Sequence, residues 1–494
     1  MTLGLLVVNI TIAALLLTVL TALFSRRVEN YLISYLQHFT GALFVFSGTV
    51  KAIDPLGTAY KMQDYFGAFE GTFEPTWFSF LSPLFAALND FAVGFSVLVI
   101  VFEIVLGIML ILGAARRFTS WAFLSLVVFF TLLTGFTYLT GYVPTTVNFF
   151  QFGQWGPFVD TNMKVTDCGC FGDFLKLEPR VSFLKDLALL VPGVLFVFLW
   201  RGMHQLFSRP VRGVIVGLSA LGLFIYCLSN FVWDIPDIDF RAFREGVNIR
   251  EQKAAEAEAQ ANIEVIGYRL TEKTGDRVVE LPLNQYLAEY KDYPKEDWEL
   301  EQIQSKPTLE PTKISDFIIS DVDGHDITDQ ILEYPGYSFM IVAYTIKGTP
   351  EPATLTLSDT TWRYDTLVRE DSIVVERSID SIATREVQGE VFTWPEDYLR
   401  PWTDVVNPVL QEADGAGIRT YAVVGGATRE KIDDFRHATQ SAYPFYTADD
   451  ILLKTIVRSN PGIVLWHDGE IIAKWHVKKL PSFAEIKAAY LDAG

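Results

Sequence analysis

Residues 91–141 read FAVGFSVLVIVFEIVLGIMLILGAARRFTSWAFLSLVVFFTLLTGFTYLTG. Two apolar runs, 91–113 and 118–141, are parted by a short segment that carries Arg116 and Arg117. A bilayer core of about 30 Å needs roughly 20 apolar residues in helical form. Each run is long enough to cross it, and the arginine pair marks a tight turn at one membrane face. Working outward, four further stretches qualify: 4–24, 32–50, 183–200 and 213–233. Six spans are therefore expected. The first has the length of a secretory signal, but no cationic segment precedes it and no small-residue cleavage site is evident, so it reads as a retained span.

Charge divides the 494 residues in two. Residues 1–233 hold 13 Lys and Arg against 12 Asp and Glu, whereas residues 234–494 hold 27 against 47, a net of −20. A membrane half is followed by an acidic soluble half, and this balance speaks against nucleic acid as a partner, since phosphate binding needs a basic surface. Short loops carrying Arg26 and Arg27, Arg116 and Arg117, and Arg201, Arg209 and Arg212 alternate with long acid-bearing loops, 51–90 and 142–182. Cytoplasmic loops are the arginine-rich ones. Both termini, the loop 142–182 and the acidic half are then expected outside, in the periplasm of a bacterial inner-membrane protein.

That outer loop holds KVTDCGCFGDF (164–174), with two of the three cysteines in the chain. The outer compartment is oxidising, so exposed thiols there tend toward disulfides. A Cys-x-Cys pair can close a small strained ring, the labile kind of disulfide, and Gly169 relaxes the backbone restriction on closure. Cys168 and Cys170 read as a redox pair, with a structural clip as the other reading; two ligands without a nearby His or Cys fall short of a closed metal site, so no metal is expected. Cys227, near the outer end of the last span, is a candidate relay or simply a small buried residue. Glu103 falls mid-span, where ionisable groups are costly and often functional. It is a candidate proton site or quinone-headgroup contact, or else a helix-packing carboxylate. His38 reads as a packed, hydrogen-bonded histidine.

The run GALFVFSGTVKAIDPLGTAYKMQDYF (41–66) resembles the first span and outer loop of DoxX-type membrane proteins, with Ser47–Gly48, Lys51, Asp54–Pro55 and Lys61 in place. DCGCFGDF followed by SFLKDLALL resembles the loop and last helix of the related MauE-type proteins. The resemblance covers about residues 32–200. It implies a four-helix module concerned with thiol, thiosulfate or quinone redox chemistry, beside a thioredoxin-like partner, with Cys168 and Cys170 as the thiol pair. The spans 4–24 and 213–233 are additions to that pattern.

Residues 234–312 read as a helical spacer rich in Ala, Glu and Gln, then a hairpin of IEVIGYRL and RVVELPL turning at 274–276, closed by Pro-rich KPTLEPTK. From 313 the pattern changes: buried strands YSFMIVAYTI (337–346) and IRTYAVVGG, helices at 401–414, 428–440 and 449–458, a hairpin turning at Asp468–Gly469, and a last helix. This order resembles the thioredoxin fold in its peroxiredoxin-like branch, with Pro461 at the position of that fold's cis-proline. The Cys-x-x-Cys of active members is missing, since KGTPEP follows the first central strand. An insertion at about 350–400 reads as extra strands or an extended arm. His325, His437, His467 and His476 lack metal-ligand spacing, and His476 alternates with Lys474 and Lys478 as on a solvated strand face.

Two functions follow. One is a membrane-anchored accessory or binding subunit of an envelope complex, whose redox-inactive thioredoxin-like domain holds an exported or envelope client. The other is a membrane thiol–disulfide or quinone-linked oxidoreductase using Cys168 and Cys170.

Overall fold

The computed structural model describes residues 2–25, 28–165, 168–275, 277–369 and 372–492. Arg26 and Arg27, and Asp276 of the expected turn at 274–276, lie outside the described residues. The chain divides into two compact units, Met1–Arg241 and Ala242–Gly494.

The first unit is helical: α1 (Leu3–Ser25), α2 (Tyr31–Ile53), α3 (Pro55–Phe73), α4 (Ser82–Asp90), α5 (Ala92–Leu112), α6 (Arg116–Thr140), α7 (Pro179–Leu199) and α8 (Arg209–Leu228). Among the described residues, five helices are long and apolar enough to cross a membrane: α1, α5, α6, α7 and α8. The expected span 32–50 forms α2, which has 23 residues. It lacks their apolarity because Ser34, Gln37, His38, Thr40, Ser47 and Lys51 are buried along it. Its polar side chains face other helices, so α2 belongs to the interior of the bundle.

Backbone contact fixes the crossing of α2 and α5. A Cβ added at Gly41 would stand 2.8 Å from the Gly107 carbonyl oxygen, and one at Gly107 would stand 2.8 Å from that of Gly41. Small residues permit this approach where the surrounding medium supplies no hydrophobic drive. Helix α1 docks by a stripe at helical spacing, Leu6, Ile10, Ala14, Thr18 and Thr21. Leu15, Leu16, Leu20 and Leu23 on its other faces are exposed. His38 contacts Thr18 Oγ1 through Nδ1 at 3.0 Å and Thr21 Oγ1 through Nε2 at 3.3 Å. Its ring stacks on His204 with centroids 4.5 Å apart.

The segment 51–90, expected as a loop, contains α3 and α4. Asp54 Oδ1 accepts from the Gly57 amide at 3.0 Å, and Pro55 takes the first helical turn, where its missing N–H costs nothing. At the opposite end of α2, Arg116 Nη1 donates to the carbonyls of Arg201 at 2.7 Å and Met203 at 3.0 Å. The two arginine-bearing connections therefore share one end of the bundle.

The second unit begins with α9 (Ile249–Ala261) and a three-stranded sheet of order β2-β1-β3, from β1 (Val265–Glu272), β2 (Val278–Pro282) and β3 (Trp298–Gln304), with α10 (Leu283–Glu289) between the last two. The 249–261 segment, read as a spacer, is tied to the rest of this unit. The Ile249 amide donates to the Gly469 carbonyl at 2.7 Å, Lys253 donates to the Phe317 carbonyl, and buried Glu256 accepts from Thr312 Oγ1 at 2.7 Å and from Ser315.

A five-stranded mixed sheet of order β10-β9-β4-β7-β8 forms the larger core. Its strands are β4 (Tyr337–Ala343), β7 (Arg419–Gly425), β8 (Phe445–Ala448), β9 (Gly462–His467) and β10 (Glu470–His476). β4, β7 and β8 run parallel; β9 is antiparallel to β4, and β10 to β9. Its helices are α11 (Thr328–Leu332), α12 (Glu396–Arg400), α13 (Asn407–Gly415), α14 (Arg429–Thr439), α15 (Asp450–Ile456) and α16 (Phe483–Ile486). Phe339, Ile341, Trp402, Val424, Phe435 and Leu465 fill the core. Asp468 and Gly469 both adopt positive φ, as the tight β9–β10 turn demands. The Asn460–Pro461 bond is cis.

The insertion is a two-stranded ribbon, β5 (Thr349–Arg369) paired antiparallel with β6 (Ser372–Thr393). Lys474 and His476 are buried, not solvated, because residues 243–247 cover that part of the strand. Lys474 Nζ donates to the Phe243 carbonyl at 2.7 Å and the Ile456 carbonyl at 3.1 Å.

Candidate functional site

Helices α2, α3, α5, α6 and α7 enclose a cavity of about 50 Å³ in the first unit, and the segment Cys168–Phe171 forms part of its wall. Gly169 and Gly172 both adopt positive φ, 59° and 51°. The segment thus doubles back, with the Gly172 amide on the Gly169 carbonyl at 3.2 Å and a bridge from Phe171 to Leu175. A Cβ at Gly169 would stand 3.2 Å from Lys61 Cγ, so the residue between the cysteines needs both the conformation and the room of glycine. Ser47 Oγ donates to the Cys170 carbonyl at 2.8 Å, fastening the loop to α2.

Two ion pairs line the cavity, Lys51–Glu103 buried and Lys185–Asp186 with its lysine partly buried. Lys51 Nζ stands 2.7 Å from Glu103 Oε2, the side chains being 6% and 2% exposed. Lys185 Nζ stands 2.7 Å from Asp186 Oδ1, and Thr134 Oγ1 donates to Asp186 Oδ2 at 3.0 Å. Lys51 Nζ lies 5.0 Å from the centre of the Phe130 ring, and Lys185 Nζ 5.6 Å from that of Phe171. Charges removed from water persist only when paired and hydrogen-bonded, and both pairs meet that condition.

The cysteines stand as three thiols. Burial pushes the Cys170 thiol up; the Lys185 charge opposes this, and the result stays above the ordinary thiol value. Thr58 Oγ1, also on the cavity wall, is buried without a hydrogen-bond partner among the described residues, which suits a water-sized polar occupant. About 50 Å³ accommodates three or four waters. A cavity that holds benzene measures about 150 Å³. A quinone headgroup is larger than benzene and does not fit this space.

Of the residues singled out in the sequence, Cys168, Cys170 and Glu103 meet at this cavity. Cys227 is not among its lining residues. It is fully buried in a separate apolar cluster with Ala52, Val97, Ile100 and Ile104. Sequence reasoning assigned no role to Lys185, Asp186 or Thr134, and noted Lys51 only as part of a family pattern. The available signal was the presence of opposite charges at matching depth in different apolar runs, which acquires meaning only once the runs are packed. Among the described residues no cluster of three or more His, Cys, Asp or Glu could hold a metal ion.

Among the described residues, fold and site define a helical unit with five helices fit to cross a membrane and a thiol-walled, charge-lined cavity, followed by a mixed α/β unit. No protein family, curated protein or solved structure matches the chain.

Proposed function

We propose that the first unit is a membrane-embedded thiol–disulfide exchange centre and the second its client-binding domain. The observation that carries this reading is the shared cavity, in which Cys168 and Cys170 line the same space as the buried Lys51–Glu103 pair and the Lys185–Asp186 pair. A structural clip needs no charges beneath it, and burying them costs several kcal/mol per ion. Cys170, held up by burial and fastened to Ser47, suits the resolving role. Cys168 then makes the first attack.

In the exchange, the Cys168 thiolate attacks one sulfur of a client disulfide. A Cys168–client disulfide forms, and the other client sulfur leaves as a thiolate that takes a proton from water. Cys170 gives its proton to the cavity, where Glu103 and Asp186 are the available bases, and attacks the Cys168 sulfur. The Cys168–Cys170 disulfide forms and the second client thiolate departs. Two electrons pass to the client; the reverse sequence oxidises a client dithiol.

The wider setting is a six-span unit with α2 as the sixth span, in which the four spans over residues 32–200 are read as a DoxX/MauE-like module and the spans 4–24 and 213–233 as additions to it. The 23 residues of α2 give about 34 Å of helix, against a core of about 30 Å. Arginines at 116, 117, 201, 209 and 212 assign their shared end of the bundle to the cytoplasm, with both termini and residues 234–494 in the periplasm. The second unit is read as thioredoxin-like, supported by three parallel strands flanked on one side by two antiparallel ones. Tethering a client-binding domain to the exchange centre raises the client's local concentration there.

A second reading is the accessory subunit, with the CGC segment as a clip. It is favoured by the lack of any cysteine after Cys227, which leaves the second unit without thiol chemistry of its own. Mass-tagging of thiols in native membranes separates the two. Exchange predicts a partly reduced Cys168/Cys170 pair and, in Cys170→Ser, reductant-sensitive adducts to exported proteins through Cys168. A pair locked in one state under every condition, with no adducts, leaves only the accessory role.

A further inference from the structure

Residues 75–89 read PTWFSFLSPLFAALN and residues 142–159 read YVPTTVNFFQFGQWGPFV, and neither stretch holds a charged residue. Glu74, Asp90 and Asp160 stand at their borders. Both stretches lie at the end of the bundle opposite the arginine-bearing connections, one before α5 and the other after α6. They pack on one another. The rings of Phe78 and Phe150 have centroids 5.6 Å apart, and Asn148 Nδ2 donates to the Thr72 carbonyl at 2.9 Å. Phe136, one turn before the end of α6, has its ring 5.1 Å from that of Phe149 and 4.7 Å from that of Phe69 on α3. This cap therefore stands at the level where the apolar run of α6 ends.

From Trp77 to Leu88 the chain is uncharged and largely apolar on both sides. Phe78 and Phe85 turn inward, with the Phe85 ring 5.3 Å from that of Phe69. Trp77, Phe80, Leu84 and Phe91 turn outward, and Trp77 and Phe80 are 77% and 67% exposed. In the second stretch Phe152 is 63% exposed. The outward positions 77, 80, 84 and 91, with exposed Ala87, recur every three or four residues and so share one helical face. Helical bonding carries that face into α5: the Phe91 amide donates to the Ala87 carbonyl at 3.3 Å, and the Phe95 amide to the Phe91 carbonyl at 2.9 Å. Gly94 and Leu98 continue the spacing along α5 and are exposed. On a helix fit to cross a membrane, such an exposed apolar face is the one that meets lipid.

A helical segment apolar all round belongs in a protein core or in lipid. Large contiguous apolar patches are rare on surfaces that face water. We infer that this cap lies in the headgroup–acyl boundary of the adjoining leaflet, with Trp77, Phe80, Leu84 and Phe152 against lipid. Its partner is the bilayer, because the outward face is continuous with the lipid-facing side of α5 and neither stretch offers a charge to a water-borne partner. Aromatic rings are favoured at that depth. Segments lying there bury their apolar faces about 5–10 Å deep. The inference rests on the membrane placement of the bundle and not on thiol exchange.

The test is spin-label accessibility in the full chain, in vesicles of phosphatidylethanolamine and phosphatidylglycerol. In a background of Cys168→Ser, Cys170→Ser and Cys227→Ala, single labels are attached at Trp77→Cys, Phe80→Cys, Leu84→Cys or Phe152→Cys. Leu98→Cys gives the lipid reference, and Glu296→Cys, at an exposed position of the second unit, gives the water reference. Oxygen concentrates in lipid and a nickel chelate in water, so the two relaxing agents report the surroundings of each label. Cap labels are expected to relax more with oxygen than with the chelate, falling between the two references and nearer Leu98. Stronger relaxation by the chelate at positions 77 and 80, as at position 296, overturns the inference. Weak relaxation by both agents also overturns it, since protein then covers the face. A Leu98 label that relaxes as in water overturns the membrane placement along with the cap, which separates the two failures. The unsubstituted chain supplies a second reading. A diazirine partitioned into the bilayer is expected to label peptides from 75–89 and 142–159, and their protection while α5 is labelled overturns the inference.

Discussion

Removing Lys51 tests the cavity most directly. Lys51→Met keeps the length and bulk of the side chain but leaves Glu103 buried without the ammonium that stands 2.7 Å from it. Loss of one partner from a buried pair costs about 3–5 kcal/mol, because the remaining charge has neither water nor counter-charge. For a folding unit of this size, that corresponds to a midpoint lowered by about 6–20 °C. The double variant K51M/E103M removes both charges and fills the space with apolar atoms, which is commonly near neutral. Its midpoint is expected within a few degrees of wild type. The cysteines supply the assay: all three lie in the first unit, and Cys227 is fully buried. In a Cys168→Ser/Cys170→Ser background, a thiol-reactive fluorophore reports unfolding of this unit alone. If K51M costs under about 1 kcal/mol, or the double variant is no better than the single, the pair is not the desolvated ion pair described.

Three further outcomes follow from the structure. Gly107→Val drives a side chain against the Gly41 carbonyl, at 2.8 Å from the Cβ position alone; overpacking of this kind costs about 1–3 kcal/mol or more, read by the same Cys227 assay. The Cys170 thiol lies above its ordinary value, so thiolate forms only as pH rises past the normal thiol range; alkylation of Cys170, resolved from Cys168 by fragment-ion mass spectrometry, is expected to lag at neutral pH and to slow further in Lys185→Met. In Glu256, burial raises the carboxyl pKa, but hydrogen bonds from Ser315, Gln252 and Thr312 outweigh it and hold it below the usual range. Its contribution is therefore present above the ordinary carboxylate pKa and lost as pH falls through the lowered value. Amide exchange in α9 is expected to rise on acidification, and at neutral pH in Glu256→Ala; unchanged protection in both would show that Glu256 does not hold the helix.

Much of the architecture was legible in the chain. Apolar runs longer than a bilayer core mark α1, α5, α6, α7 and α8, since length and composition alone decide whether a helix can cross. Alternation and turn residues mark β4, β7, β9 and β10, and the Asp468–Gly469 turn follows from residues that tolerate positive φ. The CGC segment was conspicuous by its rarity. Lys474 and His476 show the limit of such reading, because alternation cannot tell whether an outward face is later covered.

What the sequence determined by itself is therefore local: which long apolar runs can enter a membrane, where the main strands and turns of the second unit fall, and which residues are chemically unusual, whereas α3 and α4 lay hidden in a segment read as a loop. The tertiary structure decided which unusual residues meet. Lys51 and Glu103 are 52 positions apart, and Asp186 and Thr134 likewise; each pair stands within 3.0 Å only because α2 packs on α5 and α6 on α7. Cys227 is equally conspicuous in the sequence, yet it packs in a different cluster. Pairing across a helical bundle depends on crossing geometry, and here a backbone contact at Gly41 and Gly107 sets the α2–α5 crossing. No linear pattern of charge or hydropathy records such a contact, because it joins positions remote in the chain through atoms every residue shares.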